Sequence, residues 1–412
     1  MNHCLGYRCT ICGALFPFSD MLTCSHCGEK GILDVIYDYQ RVKKVFSRET
    51  LEQDRTNSMW RYAALLPVEN SEQRFREFLR IGWTPLYRSN TLEKELGIKA
   101  LYIKDDGINP TASLKDRASG VAVARAMELG YDTVACSSTG NAASSLAGSC
   151  ARMGLKAVIF VPQRAPEGKV AQLKIFGARV VSVIGDYRQT FELSRAAIEK
   201  YGWYNRNAGI NPVMIEGKKT VSIEIMEQLC WQAPDWIAVS VGDGCTVGGV
   251  YNGLKELYEL SMIERIPKIL GVQSMGCCPF VNAAREGTAL APAEENTIAD
   301  SIAVGVPRNP VKALRAVKDS GGEWVAVSDE DILETMRMLG RTEGVFGEPA
   351  GVTATAGVKA AIQKGVIKPD ETVVTISTGS GLKDVKNALK AAGTTALCEP
   401  SLEALEKSGI LY

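Results

Sequence analysis

Asn109-Pro110-Thr111-Ala112-Ser113-Leu114-Lys115-Asp116-Arg117 follows a strand-like segment, Ala100-Leu101-Tyr102-Ile103-Lys104, and runs into an alanine-rich stretch with helical character. Strand, turn and helix in that order form one unit of an α/β fold. The turn sets Lys115 at the helix opening, where backbone N–H groups and the positive end of the helix dipole face an incoming anion. That setting suits a carbonyl cofactor carrying a phosphate. Nearby positive charge lowers a lysine pKa and leaves more free amine for Schiff-base chemistry. An ordinary solvated helix lysine could have the same local sequence, so the rest of the chain decides between the two.

Working outward, short β-branched runs alternate with longer helical stretches. Strands are expected at Thr133–Ser137, Ala157–Val161, Arg179–Val183, Ile237–Val241, Ile269–Gln273, Trp324–Val327 and Thr372–Ser377. Helices are expected around Ala142–Met153, Lys169–Phe176, Phe191–Lys200, Gly248–Leu260, Asp329–Thr342, Val352–Gln363 and Lys383–Ala391. Apolar strands separated by helices predict parallel sheets covered on both faces, here an α/β body with two open twisted sheets. No fixed-period repeat or low-complexity segment interrupts the pattern.

Ligands of open α/β sheets sit beyond the carboxyl ends of the strands, which directs attention to four loops. Ser137-Ser138-Thr139-Gly140-Asn141 can hold a carboxylate with N–H groups and hydroxyls, and Asn141 can bond a phenol-like oxygen; a plain helix N-cap would read similarly. Gly242-Asp243-Gly244-Cys245-Thr246 lets the backbone approach a phosphate, with the Thr246 hydroxyl in support. It matches neither the dinucleotide fingerprint nor the lysine-bearing nucleotide loop, so a smaller phosphorylated cofactor fits better. Phe346-Gly347-Glu348-Pro349 puts Glu348 at a helix start, where dipole complementarity alone would also place a glutamate. Ser377-Thr378-Gly379-Ser380-Gly381 offers hydroxyls to a ring nitrogen and glycines to a flat ligand.

The 412 residues allow two or three domains, and a formal net charge of zero gives no footprint for nucleic acid. The start of the chain has no secretory pattern and no apolar run reaches spanning length, so a cytoplasmic protein without membrane contact is expected. Five of twelve cysteines crowd the first thirty residues. Cys9-Thr10-Ile11-Cys12-Gly13 and Cys24-Ser25-His26-Cys27-Gly28 form two CxxC-Gly knuckles, the pattern of a structural zinc ribbon with ligands Cys9, Cys12, Cys24 and Cys27. His3, Cys4 and His26 could compete as ligands. The two histidines, His3 and His26, both lie in this head, so acid–base work in the body falls to Lys, Asp, Glu, Tyr or a cofactor. The expected organisation is a zinc ribbon over 1–35, a helical connector over 36–81 and an α/β body over 82–412, with a small mobile subdomain at about 130–205. No further domain is expected in the short stretch after Leu382.

The lysine turn, asparagine loop, glycine loop and Ser-Thr-Gly loop, in this order behind a cysteine head, resemble the fold-type II pyridoxal phosphate enzymes (tryptophan synthase β-like), and within them the threonine synthase family. The likeness runs through Leu33-Asp34-Val35-Ile36-Tyr37 and from Trp83-Thr84-Pro85-Leu86 to Lys383-Asp384. It implies that Lys115 holds pyridoxal 5'-phosphate as a Schiff base and acts as the mobile base, and that Asn141 meets the ring 3′-oxygen. Gly242, Asp243, Gly244, Cys245 and Thr246 would hold the phosphate, and Thr378 would face the ring nitrogen. Ser138, Thr139 and Gly140 fall at the substrate carboxylate, while Ser113 and Arg117 are placed near anionic groups. The implied reaction converts O-phosphohomoserine and water to threonine and phosphate in a homodimer. Two departures stand out: Ala112-Ser113-Leu114 replaces the family's usual Gly-Ser-Phe, and Gly-Asp-Gly-Cys-Thr replaces Gly-Asn-Gly-Gly-Asn. Sibling activities therefore stay open: a lyase or β-replacement on O-phosphoserine, serine, threonine or diaminopropionate, as in a cysteate-synthase-like enzyme. A zinc-ribbon nucleic-acid-binding protein is the reading from another class.

Overall fold

A computed structural model describes residues 3–69, 71–165, 167–185 and 187–409. Strands β1 (Cys4–Cys9), β2 (Leu15–Pro17) and β3 (Leu33–Tyr37) form an antiparallel head in the order β2-β1-β3. Its small core is Tyr7, Cys9, Cys24 and Leu33. The head is fastened to the body by Asp34, which pairs with Lys312 at 3.0 Å and Arg315 at 2.9 Å, and by Tyr37 O–H, which donates to Glu216 at 2.7 Å.

The remaining strands are β4 (Leu86–Arg88), β5 (Ala100–Asp105), β6 (Thr133–Ser137), β7 (Lys156–Pro162), β8 (Arg179–Val183), β9 (Tyr204–Asn205), β10 (Trp236–Ser240), β11 (Lys268–Ser274), β12 (Glu323–Val327) and β13 (Thr372–Ser377). They make two sheets, one ordered β12-β11-β10-β13-β5-β4 and one ordered β8-β7-β6-β9. All pairings are parallel except β4 with β5. A strand buried on both faces sends alternate side chains to opposite cores. In β10, Ile237 and Val239 face the helices Val213–Gln228, Cys245–Glu259 and Pro310–Asp319, while Trp236 and Ala238 face Asp329–Glu343 and Pro349–Gln363. The smaller sheet packs against the helices Lys115–Glu128 and Asn141–Met153 through Val134, Cys136, Ile159 and Val161.

Residues 36–81 contain helices at Arg48–Gln53 and Glu72–Glu77, with a 3-10 stretch, Met59–Leu65, between them. That stretch divides its side chains between the two bodies. Tyr62 and Leu65 join the core of the large sheet, whereas Met59, Trp60 and Ala63 join that of the small one. Trp60 stacks on Phe75 with centroids 4.4 Å apart. Where two parallel sheets meet, the carboxyl ends of β5, β10 and β13 and of β6 and β9 supply loops to one cleft.

Candidate active site

Lys115 is the first residue of the helix Lys115–Glu128. The turn before it is closed from several sides: Ala112 N–H donates to Asn109 O at 2.7 Å, and Thr111 donates its N–H and hydroxyl to Asp116 at 2.7 and 2.6 Å. The loop after β13 laces into it, since Leu114 N–H donates to Thr378 O at 2.9 Å and Ser380 N–H to Ala112 O at 3.0 Å. Thr378 is thereby brought against the lysine turn. Ser113 is fully buried, and its Oγ accepts the Lys115 N–H at 3.3 Å.

The Lys115 ammonium has no hydrogen bond or ion pair among the described residues. Burial first, then the positive charges of Lys218 and Arg206, lower its pKa from 10.5 to about 7, against the opposing pull of Cys245 and Glu348. The half-buried amine is therefore nucleophilic near neutral pH.

The glycine loop leaves β10 and enters the helix Cys245–Glu259, whose N-cap, Gly244, has φ +85 and supplies no side-chain cap. A Cβ at Gly244 would lie 2.6 Å from Asn309 O, and one at Gly242 would lie 2.8 Å from Ile302 Cα, so side chains are excluded at both positions. The first helical N–H groups are left for an anion. Asp243 is turned toward the segment before the helix Pro310–Asp319, where Oδ1 accepts Arg308 N–H at 2.7 Å. The Cys245 thiol is buried and donates to Ala208 O at 3.4 Å.

Across the cleft, Ser138, Thr139 and Gly140 form a half-buried turn, with Gly140 N–H donating to Ser138 Oγ at 3.2 Å. Asn141 Nδ2 donates to Glu348 Oε1 at 2.7 Å, leaving one amide hydrogen and Oδ1 for a ligand. Burial raises Glu348 from 4.5 to about 7, while the Asn141 bond and the charges of Lys383, Lys169 and Lys115 oppose the shift. The Ser377 hydroxyl, one residue before Thr378, is buried without a partner among the described residues.

Arg117 corrects an expectation. It is fully buried in a salt-bridge network. Its guanidinium binds Asp106 at 2.7 and 2.8 Å and Glu224 at 2.6 and 2.8 Å, with Thr220 and Thr84 taking further contacts at 3.0 and 3.3 Å. Lys104 adds a second bridge to Glu224 at 2.8 Å. Every donor of Arg117 is spent inside the protein, so none is left for an anionic substrate. Sequence reasoning also missed Arg206 and Lys218, two buried cations that act on Lys115. Arg206 directly follows β9, a two-residue strand too short to stand out, although the rule directing attention to loops after parallel strands would have reached it.

In the head, the Sγ atoms of Cys9, Cys12, Cys24 and Cys27 all lie within 4.8 Å of one another, with Cys12 and Cys24 3.7 Å apart. Ile11 and His26 N–H donate to Cys9 and Cys24 sulfurs at 3.4 Å. Four convergent thiols with backbone N–H support fit a closed tetrahedral zinc site. In the body, the donor set fits pyridoxal phosphate: an unpaired amine for the aldehyde, an uncapped helix N-terminus between glycines for the phosphate, and an unpartnered buried hydroxyl beside Thr378.

The family profile described as pyridoxal-phosphate dependent enzyme matches residues 78–379, and the chain belongs to that family. Within it, the similarity extends through the cysteine head to the threonine synthases. The chain is 40% identical over 403 residues to that of Methanocaldococcus jannaschii, covering 97% of this chain and 98% of the relative. It is 39% identical over 405 residues to that of Methanosarcina acetivorans, with the same coverage. The solved structure of threonine deaminase isoform 2 from Solanum lycopersicum shares the fold at a TM-score of 0.66 and 24% identity, covering 75% of this chain and 86% of that one.

Proposed function

We propose that the protein converts O-phosphohomoserine and water to threonine and phosphate. The carrying observation is the unpaired Lys115 amine, lowered to about 7, in a chain similar over nearly its full length to threonine synthases. Pyridoxal phosphate, when bound, supplies an electron sink for the bonds around the substrate Cα. Lys115 holds the cofactor, then takes the proton from Cα and a proton from Cβ. Asn141 and Thr378 orient the ring from opposite sides, and the backbone of Gly242, Asp243, Gly244, Cys245 and Thr246 holds its phosphate. Ser138, Thr139 and Gly140 hold the substrate carboxylate. Phosphate leaves from Cγ, which takes up a proton to become the methyl group, water adds at Cβ, and a proton returns to Cα, so the two protons taken by Lys115 are given back. With both histidines in the cysteine head, the lysine carries the proton traffic.

The reading includes a structural zinc, a homodimer in the cytoplasm and no nucleic-acid role, the last supported by the zero net charge. It keeps the 1–35 ribbon and 36–81 connector, and a subdomain at about 130–205 that closes over the substrate to exclude water until the addition step. Among the described residues, no helix is long and apolar enough to cross a membrane.

The experiment offers the protein O-phosphohomoserine, O-phosphoserine with sulfite, and threonine in parallel, and measures products. Threonine with equimolar phosphate from the first supports the reading. Cysteate from the second or 2-oxobutanoate from the third, with no threonine from the first, would overturn it in favour of a sibling reaction.

A further inference from the structure

Lys218 is only 2% exposed. It rides on the helix Val213–Gln228, which packs on the helix Cys245–Glu259 so closely that a Cβ on Gly249 would sit 3.1 Å from Lys218 Cβ. No hydrogen bond or ion pair reaches its ammonium among the described residues. Its neighbour Lys219, equally buried, is instead clamped between Glu216 and Glu256, the latter at 2.7 Å. The charged and titratable groups acting most strongly on Lys218 are Cys245, Arg206 and Asp243. Two of these belong to the glycine loop, and with Lys218 Cβ packed against Gly249 the side chain lies beside the first turns of the helix Cys245–Glu259. Lys218 is also the foremost charge acting on Lys115.

Arg206, 1% exposed, flanks the same place, and among the described residues its guanidinium hydrogen-bonds only to Ser119 Oγ, at 3.1 and 3.0 Å. Asp243 does not neutralise the pair, because its carboxylate is held by Arg308 N–H and by the Cys245 thiol at 3.6 Å. Two buried cations, a lysine amine and the positive end of a helix thus lie together without a paired counter-ion among the described residues. Buried charges are ordinarily paired, and this arrangement is relieved by an incoming anion.

We propose that Lys218, flanked by Arg206, is the counter-charge of a phosphate dianion seated on the N-terminus of the helix Cys245–Glu259, and that this phosphate is the cofactor's. The cofactor is favoured because Cys245 and Asp243, two of the groups acting on Lys218, belong to the glycine loop, whose helix start has no side-chain cap. The inference rests on the reading of Lys115 as the cofactor lysine. A second consequence follows: the phosphate offsets the charge by which Lys218 acts on Lys115, coupling phosphate seating to the reactivity of the amine.

The test titrates the apoprotein with pyridoxal phosphate and with pyridoxal, the same aldehyde without phosphate, following absorbance and the borohydride-fixed mass on Lys115. Lys218→Met and Lys218→Gln are expected to weaken pyridoxal phosphate binding by about tenfold or more while changing pyridoxal binding by less than about threefold. Lys218→Arg is expected to restore most of the difference. Inorganic phosphate should compete with pyridoxal phosphate on the wild type more strongly than on Lys218→Gln. Equal losses for both aldehydes would mark a merely structural lysine and overturn the proposal, as would unchanged affinity for both. Unchanged cofactor affinity with a raised KM for O-phosphohomoserine would move the anion to the substrate and overturn the cofactor assignment. Lys218→Gln removes an unpaired buried charge, so its apoprotein is expected to melt no lower than the wild type; Lys218→Arg supplies the same aldehyde comparison with the charge retained. A wild type that fixed neither aldehyde on Lys115 would instead sink the reading of the active site itself.

Discussion

Asn141 and Glu348 are joined by a 2.7 Å hydrogen bond across 207 positions of chain. The bond links the first residue of a helix on the small sheet to the residue that opens the helix Pro349–Gln363 on the large one. Burial raises the Glu348 carboxyl to about 7. A carboxyl with a raised folded pKa contributes stability fully below its unfolded value, and that contribution is lost as pH rises through the folded value. Glu348→Gln removes the titration while keeping an acceptor for Asn141. Its melting temperature relative to the wild type should therefore rise between pH 5 and pH 8, a window set by the cited shift from 4.5 to about 7. A difference that stays flat across that range would show that Glu348 does not titrate there. Glu348→Ala should instead cost about 1–3 kcal/mol at both pH values, because it strands a buried donor.

The amine of Lys115 leads to a second prediction. With its pKa lowered to about 7, the fraction of free amine levels off above neutral pH, whereas exposed lysines stay protonated to about 10. Brief treatment of apoprotein with pyridoxal and borohydride should label Lys115 ahead of every other lysine at pH 7.5. The labelling rate should fall about tenfold for each unit below pH 6. Site-resolved mass spectrometry reads both, and uniform labelling across the lysines would contradict the lowered pKa.

Ala112 sits at φ +64, in the left-handed region, within the turn that aims Lys115. A Cβ in that conformation costs about 1–2 kcal/mol, partly offset by the extra unfolded-state entropy that glycine would bring. Ala112→Gly should therefore raise stability by about 0.5–1 kcal/mol in denaturant titrations, with the cofactor site intact. This also gives physical meaning to the departure from the family's glycine at that position: the turn keeps the glycine geometry and tolerates the strain. A destabilised Ala112→Gly would show that the alanine methyl makes a contact worth more than the strain.

Much of the fold was readable because strands covered on both faces leave continuous apolar runs. Thr133–Ser137, Arg179–Val183 and Thr372–Ser377 match their expected limits. The helix Val213–Gln228 was not anticipated, for a related reason. It is buried nearly all round yet carries Glu216, Lys218, Lys219 and Glu224, so no polar stripe reveals its period. The helices Pro279–Glu286 and Pro310–Asp319 were also passed over, each beginning at a proline that reads locally as a break. Lys115 announced itself through a local turn, but the role of Arg117 depends on Asp106 and Glu224, 11 and 107 positions away. A charge beside a reactive lysine suggests an anion ligand when those partners cannot be seen.

Arg117 accordingly gives a stability prediction. Arg117→Met leaves Asp106 and Glu224 buried with their principal partner gone, and breaking such a network costs about 3–5 kcal/mol. Arg117→Lys should rescue only part of this, since an ammonium cannot serve two carboxylates in the bidentate pattern. The expected signature is a lowered melting temperature with little change in KM for the folded fraction. A raised KM at unchanged melting temperature would return Arg117 to the substrate site.

Zinc removal separates the head from the chemistry. The four thiols gather around a small core of Tyr7, Cys9, Cys24 and Leu33, with half-buried Phe16, Phe18, Met21 and Val35 packed on it, too little apolar surface to hold three short strands by burial alone. Chelation, or Cys24→Ser, is therefore expected to unfold β1 to β3. Asp34 then loses its defined place beside Lys312 and Arg315, whose positive charges hold its carboxyl down to about 2 against burial. A carboxylate with a depressed folded pKa contributes stability above its unfolded value near 4 and loses it as pH falls through the folded value. At neutral pH the metal-bound protein should therefore hold an increment of stability that both Asp34→Asn and the chelated protein lack. Pyridoxal phosphate bound at Lys115 should persist through mild chelation, because its proposed ligands all lie in the body. Loss of the borohydride-fixed cofactor in step with zinc, measured by metal analysis and mass spectrometry on one sample, would show that the head helps hold the active site.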